Sequence, residues 1–146
     1  MTVRRVLIVD DNEDHRFLTA RSLRRAAGDI EVQTEAVASA EEALDYLQRR
    51  GRFAGKPRPH LVILDLRMPR MSGTELLELV KRDPELRTIP IVALSSSDRT
   101  EDIDAVFRLG GNSYVIKQTS RRGLGEALST IADYWTRESS LPRPPD

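Results

Sequence analysis

The sequence predicts an α/β fold in which helices cover both faces of a doubly wound, five-stranded parallel sheet. Two observations indicate this fold. Short apolar runs alternate along the chain with amphipathic segments, and most of the runs are nearly continuous in Val, Ile and Leu, as in strands that are buried on both faces. The predicted strands cover residues 3–9, 30–37, 61–64, 89–94 and 113–116.

Helical periodicity fills the intervals between the strands. The first helix is predicted near residues 12–27, and apolar residues recur at helical spacing in the next three intervals as well. Gly110 and Gly111 end the fourth helix, as a left-handed cap would. The last helix has the clearest apolar stripe, which consists of Leu124, Leu128, Ile131 and Trp135.

Two segments are predicted to lie outside the regular elements. The linker GRFAGKPRP, residues 51–59, is basic; we expect a solvated loop rather than a contact with nucleic acid or an acidic kinase surface. The tail from Ser139 contains three prolines and is expected to fray or to pack as extended chain. We therefore expect one domain over residues 1–138, followed by a proline-rich tail over residues 139–146.

The composition narrows the function classes. The 23 basic and 23 acidic side chains balance, so we expect neither a nucleic acid nor a membrane as partner. The absence of cysteine excludes disulfides, thiolate metal sites and cysteine nucleophiles. His15 and His60 lie far apart, without a second histidine at zinc-ligand spacing. No apolar run is long enough for a signal peptide or a membrane span, and we expect a cytoplasmic location.

Polar side chains follow the predicted strands at the points where these end. Asp10 and Asp11 follow the first strand, Asp65 the third, Ser95 the fourth and Lys117 the fifth. The carboxyl ends of parallel strands meet at one edge of a sheet, so these side chains should lie close together. Neighbouring carboxylates resist joint ionisation unless a cation intervenes. Magnesium is the expected ion, because it prefers oxygen ligands and usually takes only one or two protein carboxylates.

Such a site suits phosphoryl transfer, which depends mainly on positioning and charge neutralisation. Asp65 is the best candidate for the nucleophile, since it ends a central strand and a proline-containing loop follows it. Lys117 would add a second positive charge and Ser95 a hydroxyl donor. Alternatively, the acidic and serine runs only cap helices and Lys117 is a surface lysine; the joint occurrence of all these residues favours the functional interpretation.

These residues resemble the receiver family of two-component signalling. An acidic pair follows the first strand, LDLRMPRMSG surrounds Asp65, and a hydroxyl residue and a lysine stand 30 and 52 positions beyond it. The resemblance implies a flavodoxin/CheY-like sheet with strand order 2-1-3-4-5. It also implies that Asp65 is the phosphoacceptor, that Asp11 binds magnesium directly and Asp10 largely through water, and that the backbone carbonyl of Arg67 completes the ligand set.

The resemblance further implies a switch and the residues that tune it. When Ser95 bonds the phosphoryl group, the ring of Tyr114 would turn inward. The side chains of Arg67 and Ser97 would line the mouth of the site and tune hydrolysis. Receivers commonly have proline after the switch lysine, joined by a cis peptide, whereas this chain has Gln118. A cis bond before a residue other than proline costs about 2.5–4 kcal/mol. We therefore expect that the Lys117–Gln118 bond can be trans, which would set Lys117 at a slightly different angle and weaken or retime the switch.

A closer resemblance is to single-domain response regulators that act with bacterial phytochromes, on the basis of the long linker, NSYVIK, and DYW followed by SLP. It implies as partner a sensor histidine kinase of the bacteriophytochrome type or a histidine phosphotransfer protein. It also implies a homodimer through the fourth helix, fifth strand and fifth helix. Trp135 either belongs to that interface or closes the core or pins the tail.

Two rival functions remain at this stage. An aspartate-nucleophile phosphatase typically needs a second aspartate two residues after the nucleophile, where this chain has Arg67. A phosphorylation-independent adaptor with a receiver fold would be favoured by loss of an essential residue, yet Asp11, Asp65, Ser95 and Lys117 are all present. We therefore expect a phosphoacceptor switch rather than an enzyme, with at most self-phosphorylation from small donors and autodephosphorylation.

Overall fold

The computed structural model describes residues 3–26, 28–117 and 123–146. Five strands alternate with five helices along the chain. The elements in order are β1 (Val3–Val9), α1 (Glu13–Ala26), β2 (Glu31–Val37), α2 (Ala40–Leu47), a 3₁₀ turn (Gly51–Phe53), β3 (Leu61–Asp65), α3 (Gly73–Arg82), β4 (Ile91–Ser95), α4 (Thr100–Arg108), β5 (Ser113–Ile116), α5 (Gly123–Asp133) and a π turn (Tyr134–Glu138).

The strands form one parallel sheet in the order β2-β1-β3-β4-β5, which confirms the predicted fold class and strand order. Alternate residues of each central strand face opposite sides of the sheet. In β1, Leu7 and Val9 belong to one core cluster, whereas Val6 and Ile8 belong to a second cluster on the other face. Burial on both faces explains why the central strands are almost wholly apolar.

Four strand boundaries differ from the sequence prediction, and two of them concern the site. β2 begins at Glu31 rather than at residue 30, and β4 ends at Ser95 rather than at residue 94. β4 begins at Ile91 rather than at residue 89. Ile89 N–H donates to Leu86 O in a turn, and Pro90 has no N–H to donate. β3 extends one residue further than predicted, because Asp65 still pairs with Leu94 of β4. The proposed nucleophile is therefore the last residue of a buried strand and not part of a loop.

Local signals explain where several helices begin and end. The hydroxyl groups of Ser39 and Ser72 cap α2 and α3 by accepting the main-chain N–H of Glu42 and Glu75, each at 3.1 Å. Beyond α4, Gly110 has φ of 100°, which confirms the left-handed residue predicted there. Of the helices in the described ranges, none is long and apolar enough to cross a membrane.

The linker between α2 and β3 is packed more tightly than predicted. Arg52 and Lys56 are exposed, but Phe53 and Arg58 are buried. The ring of Phe53 contacts that of Tyr46 edge to face, with centroids 5.2 Å apart. Arg58 Nε donates to Leu47 O at 2.9 Å. The interpretation as a solvated loop is thus wrong for these two residues, because each finds partners that the basic composition of the segment does not reveal.

The C-terminal segment has no regular secondary structure but packs against the domain at two points. Leu141 lies against the second core cluster, and the main-chain oxygen of Asp146 accepts a 2.6 Å hydrogen bond from Arg58 Nη1. Trp135 is half-buried against the same cluster, and its ring stands 5.2 Å from that of Tyr134. The structure therefore favours the core role for Trp135.

Candidate functional site

The predicted site residues meet at the carboxyl edge of the sheet. Asp10 directly follows β1, Asp65 and Ser95 end β3 and β4, and Lys117 directly follows β5. The Asp10, Asp65 and Ser95 side chains are buried, whereas Asp11 is exposed. The main-chain N–H of Lys117 donates to Ser95 O at 2.7 Å, which holds the backbone of Lys117 beside the end of β4. Sheet topology alone therefore brings these polar groups together.

Asp10, Asp11 and Asp65 form a carboxylate cluster. Each offers one oxygen, and these three atoms lie within 4.8 Å of one another. Hard oxygen donors at this spacing suit a divalent cation such as magnesium or calcium. Burial raises the pKa of Asp65; the ammonium of Lys117 opposes this shift, and the Asp10 carboxylate adds to it. A bound cation would favour the ionised form of Asp65.

Main-chain contacts fix the directions of the two buried carboxylates. Asp10 Oδ1 accepts the N–H of Asn12 at 2.9 Å, and Asp65 Oδ1 accepts the N–H of Arg67 at 3.2 Å. The N-terminus of α3 comes very close to Asp65: a Cβ at Gly73 would lie 2.5 Å from Asp65 O. Only glycine fits there, and it lets α3 close the loop that follows the nucleophile.

Lys117 is the principal cation of the cluster. Its Nζ lies 3.3 Å from Asp65 Oδ2 and 3.5 Å from Asp10 Oδ2, and the side chain is only 14% exposed. A third neighbour was not predicted from the sequence: His15 Nδ1 lies 3.2 Å from Nζ. The only sequence signal for His15 was its place five residues after Asp10, at the beginning of the first helix.

Ser95 and Tyr114 are linked through the main chain of Ser97. Ser95 Oγ accepts the N–H of Ser97 at 3.1 Å, and the Tyr114 hydroxyl donates to Ser97 O at 2.8 Å. The half-buried ring of Tyr114 packs against the first core cluster. The Ser97 side chain is buried and hydrogen-bonded to the Asp102 carboxylate of α4. Its predicted influence on hydrolysis remains a prediction.

The remaining predicted residues are Arg67 and Gln118. Arg67 is exposed and lines a polar cavity of about 300 Å³ beside the site. Ser95 lies in the same cavity, whose other side is formed by Arg99 and Asp102 at the start of α4. Arg67 thus shares a cavity with Ser95, and its predicted place at the mouth of the site and its influence on hydrolysis stay predictions. Gln118 lies outside the described residues, and so does the peptide bond that joins it to Lys117.

The fold and the site together define a class. A parallel sheet of order β2-β1-β3-β4-β5, with a carboxylate cluster, a hydroxyl group and an ammonium group at its carboxyl edge, is the architecture of response regulators. The chain belongs to the response regulator receiver domain family, whose model matches residues 6–129. It is the receiver domain of a two-component system. Members of this family generally act as phosphoacceptor switches rather than as enzymes, so the phosphatase rival is set aside.

Relatives of known sequence cover almost the whole chain. The probable methanogenesis regulatory protein FilR2 of Methanothrix harundinacea is 34% identical over 95% of this chain and 88% of its own. The response regulator Rcp1 of Synechocystis is 30% identical over 94% of this chain and 92% of its own. Both relatives therefore match the chain along nearly its full length, including the segments on either side of the carboxylate cluster.

Solved structures give the same result. The phosphorylated cyanobacterial phytochrome response regulator RcpA superposes with a TM-score of 0.89 at 30% identity, over 97% of this chain and all of its own. The Mn²⁺-bound form of Rcp1 superposes with a TM-score of 0.85 at 27% identity, over 96% of this chain and 99% of its own. The chain is thus homologous to phytochrome response regulators, and its family binds a divalent metal and interacts with histidine kinases or phosphotransfer proteins.

Proposed function

We propose that this receiver domain accepts a phosphoryl group on Asp65 from a histidine kinase or a histidine phosphotransfer protein, and that the modified domain signals through contacts with other proteins. The observation that carries the proposal is the position of Asp65 Oδ2, 3.3 Å from Lys117 Nζ and beside the carboxylates of Asp10 and Asp11. The Lys117 ammonium can neutralise a phosphoryl group directly, and the carboxylates of Asp10 and Asp11 can do so through a cation that they would hold.

Magnesium is the proposed cation. Asp10, Asp11 and Asp65 would hold it together with the main-chain carbonyl of Arg67, and the oxygen-only donor set of the carboxylate cluster fits this ion. When bound, the ion supplies positive charge that stabilises the oxygens of a transferring phosphoryl group. Asp10 is buried and also accepts the N–H of Asn12, so its carboxylate is already oriented.

In the proposed transfer, a carboxylate oxygen of Asp65 forms a new P–O bond. The P–N bond of the donor's phosphohistidine breaks, and its electron pair stays on the imidazole nitrogen of the donor. The Lys117 ammonium, already close to Asp65 and Asp10, would offset the negative charge of the phosphoryl oxygens that arrive at Asp65. The main-chain N–H of Arg67 holds the second oxygen of Asp65 during this step.

Ser95 and Tyr114 are the proposed switch pair. Ser95 Oγ now accepts the N–H of Ser97, and the Ser95 hydroxyl would donate a new hydrogen bond to a phosphoryl oxygen. Tyr114 is bonded to the carbonyl of Ser97, so a shift of this one residue reaches both side chains. Phosphorylation would bias a pre-existing equilibrium between two arrangements of the β4–α4 loop. Arg67, Ser97 and Gln118 are proposed to tune its timing.

The proposed partners follow from the relatives and from the surface. RcpA is described as a phytochrome response regulator, which supports a kinase of the bacteriophytochrome type for this chain. Phe107 of α4 is 52% exposed and Tyr134, just beyond α5, is 54% exposed. These aromatic side chains support a symmetric homodimer through α4, β5 and α5. We further propose a cytoplasmic location and a domain of residues 1–138 with the tail 139–146 appended.

Incubation with magnesium and acetyl phosphate, followed by intact mass spectrometry, tests the proposal. We expect wild type to gain the mass of one phosphoryl group and Asp65→Asn to gain none. An equal adduct on Asp65→Asn would contradict the proposal. Absence of an adduct on folded wild type would instead favour the alternative, a phosphorylation-independent adaptor with a receiver fold.

A further inference from the structure

His15 has a place in the site that the proposed function does not use. It lies in the first turn of α1, and its Nδ1 is 3.2 Å from Lys117 Nζ. The next atom within reach is Asp10 Oδ2, at 3.7 Å from Nδ1. The His15 side chain is 31% exposed, so one edge of the ring faces solvent and the other faces the lysine.

The roles of the two nitrogen atoms follow from their chemistry. A lysine ammonium donates hydrogen bonds and cannot accept one. In a hydrogen bond with this ammonium, Nδ1 of His15 would be the acceptor, in the tautomer that carries its proton on Nε2. The separation of Nδ1 from Asp10 Oδ2 is too long for a hydrogen bond between them. In that tautomer, His15 contacts the lysine as an uncharged acceptor.

The backbone of His15 is fixed on both sides. Its N–H donates to Asn12 Oδ1 at 3.1 Å, and its carbonyl accepts the hydroxyl of Thr19 at 2.8 Å, one turn further along α1. The imidazole therefore projects from a helical backbone that two side-chain hydrogen bonds hold in place. Lys117, in contrast, reaches the site on a flexible four-carbon stem. Of the two partners, His15 is the one that can determine the position of the other.

Lys117 Nζ has three acceptors within reach, and three protons with which to satisfy them. The acceptors are His15 Nδ1, Asp65 Oδ2 and Asp10 Oδ2, and His15 is the nearest. The carboxylates of Asp10 and Asp65 are also candidate ligands of a cation. Their attraction for the lysine ammonium therefore changes when an ion or a phosphoryl group binds. His15 is not among the candidate ligands of the cation, so its contact with the lysine does not compete with the ion.

We propose that His15 is a positioning residue for Lys117, which holds the ammonium above Asp65 while phosphoryl transfer proceeds. This inference rests on the proposed function and adds a residue to it. Without the imidazole, the ammonium would lose one of three anchors and spend less time beside Asp65 Oδ2. Removal of the acceptor should slow phosphoryl transfer about tenfold, by analogy with the lower end of the loss typical when a hydrogen-bonding partner of a metal ligand is removed.

Three variants separate this role from a structural one. His15→Leu removes the acceptor and keeps a side chain of similar bulk, and His15→Asn restores an acceptor oxygen close to the position of Nδ1. Arg24→Gln is the matched control, because Arg24 is exposed in the last turn of the same helix, far from the site. Acetyl phosphate is the phosphodonor and magnesium is present as the cation. A small donor is used so that no contact between a kinase and α1 affects the rate.

The measurements are the maximal phosphorylation rate, the acetyl phosphate concentration at half-maximal rate, magnesium affinity by calorimetry and the melting temperature. We expect His15→Leu to lower only the maximal rate, His15→Asn to recover most of it, and Arg24→Gln to match wild type. A His15→Leu rate equal to wild type would overturn the inference. The inference would also be overturned if His15→Asn lost as much of the maximal rate as His15→Leu. The same holds if the rate loss in His15→Leu came with a matching loss of magnesium affinity or melting temperature. Wild type that takes up no phosphoryl group would instead refute the proposed function itself.

Discussion

The Tyr114 hydroxyl donates to the main-chain carbonyl of Ser97, whose N–H in turn donates to Ser95 Oγ. One residue of the β4–α4 loop thus joins a hydroxyl group of the phosphoryl site to an aromatic ring on β5. The Ser97 side chain extends the connection to Asp102 in α4. A displacement of Ser95 would therefore be transmitted to both α4 and β5 through covalent and hydrogen-bonded neighbours.

The first prediction concerns this hydrogen bond. Tyr114→Phe removes the donor and leaves Ser97 O without its partner, so the free energy of unfolding should fall by about 1 kcal/mol. Tyr134→Phe is the control, because Tyr134 is 54% exposed and should change stability by less than about 0.5 kcal/mol. Urea denaturation of both variants measures the difference. Equal losses in the two variants would show that the bond to Ser97 contributes nothing.

The second prediction concerns the close approach of α3 to Asp65. Gly73→Ala would place a Cβ 2.5 Å from Asp65 O and 2.7 Å from Leu66 Cα, so backbone must move. We expect a stability loss of about 1–3 kcal/mol and weaker magnesium binding, because Asp65 shifts with its main chain. In Gly125→Ala the added Cβ meets nothing within 4 Å, and that helical variant should be neutral or slightly stabilised. Chemical denaturation and calorimetric titration of magnesium check both outcomes, and a stable Gly73→Ala with unchanged affinity would contradict the prediction.

The third prediction concerns pH and metal. Burial raises the pKa of Asp65, so the metal-free folded state binds more protons than the unfolded chain between the two pKa values. The contribution of Asp65 to stability therefore becomes less favourable as pH rises through that window. In metal-free buffer near neutral pH, Asp65→Asn should melt at a higher temperature than wild type.

Two further comparisons check this prediction. The difference in melting temperature between Asp65→Asn and wild type should narrow as pH is lowered, since Asp65 then becomes neutral in the wild type too. Magnesium should stabilise wild type more than the variant, because it binds the ionised cluster. A variant that is less stable than wild type in metal-free buffer at neutral pH would refute the assigned cause.

The fourth prediction concerns Arg58, whose hydrogen bonds join the linker to the end of α2 and to the C-terminal segment. Arg58 is 8% exposed and donates to Leu47 O and to the main-chain oxygen of Asp146. Arg58→Met removes both hydrogen bonds and should cost about 2 kcal/mol of unfolding free energy. Lys56→Met is the control, since Lys56 is exposed and its ion pair with Glu35 at 3.7 Å is a surface pair worth at most about 1 kcal/mol.

Urea denaturation measures the stability of these two variants, and hydrogen exchange reports on the tail. In Arg58→Met we expect faster exchange at residues 139–146, whereas Lys56→Met should leave their exchange unchanged. If Arg58→Met had the stability of wild type and the same hydrogen exchange at residues 139–146, the hydrogen bonds of Arg58 would have no energetic role.

Much of the fold was predictable because its signals are local. Apolar runs, helical periodicity and the glycine pair after α4 depend on residues close together in the chain. The sheet edge could be assembled from the strand ends, and Asp10, Asp65 and Lys117 do meet there. The β4 boundary was missed because an apolar isoleucine, Ile89, precedes a proline and takes part in a turn.

The contacts that the sequence did not predict join residues that lie far apart in the chain. His15 and Lys117 are 102 positions apart, and Arg58 and Asp146 are 88 positions apart. Such pairs depend on the exact direction in which a side chain leaves its helix or loop, which no periodicity encodes. The buried Arg58 is the clearest case, since a basic linker normally indicates solvent exposure.

The most direct test of the central claim locates the phosphoryl group. Wild type is phosphorylated with acetyl phosphate and magnesium, reduced with borohydride, which converts an aspartyl phosphate into homoserine, and digested for peptide sequencing by mass spectrometry. We predict homoserine at position 65 alone. Homoserine at position 10 or 11, or a stable phosphoryl group on a serine or histidine with position 65 unchanged, would contradict the assignment of Asp65 as the phosphoacceptor.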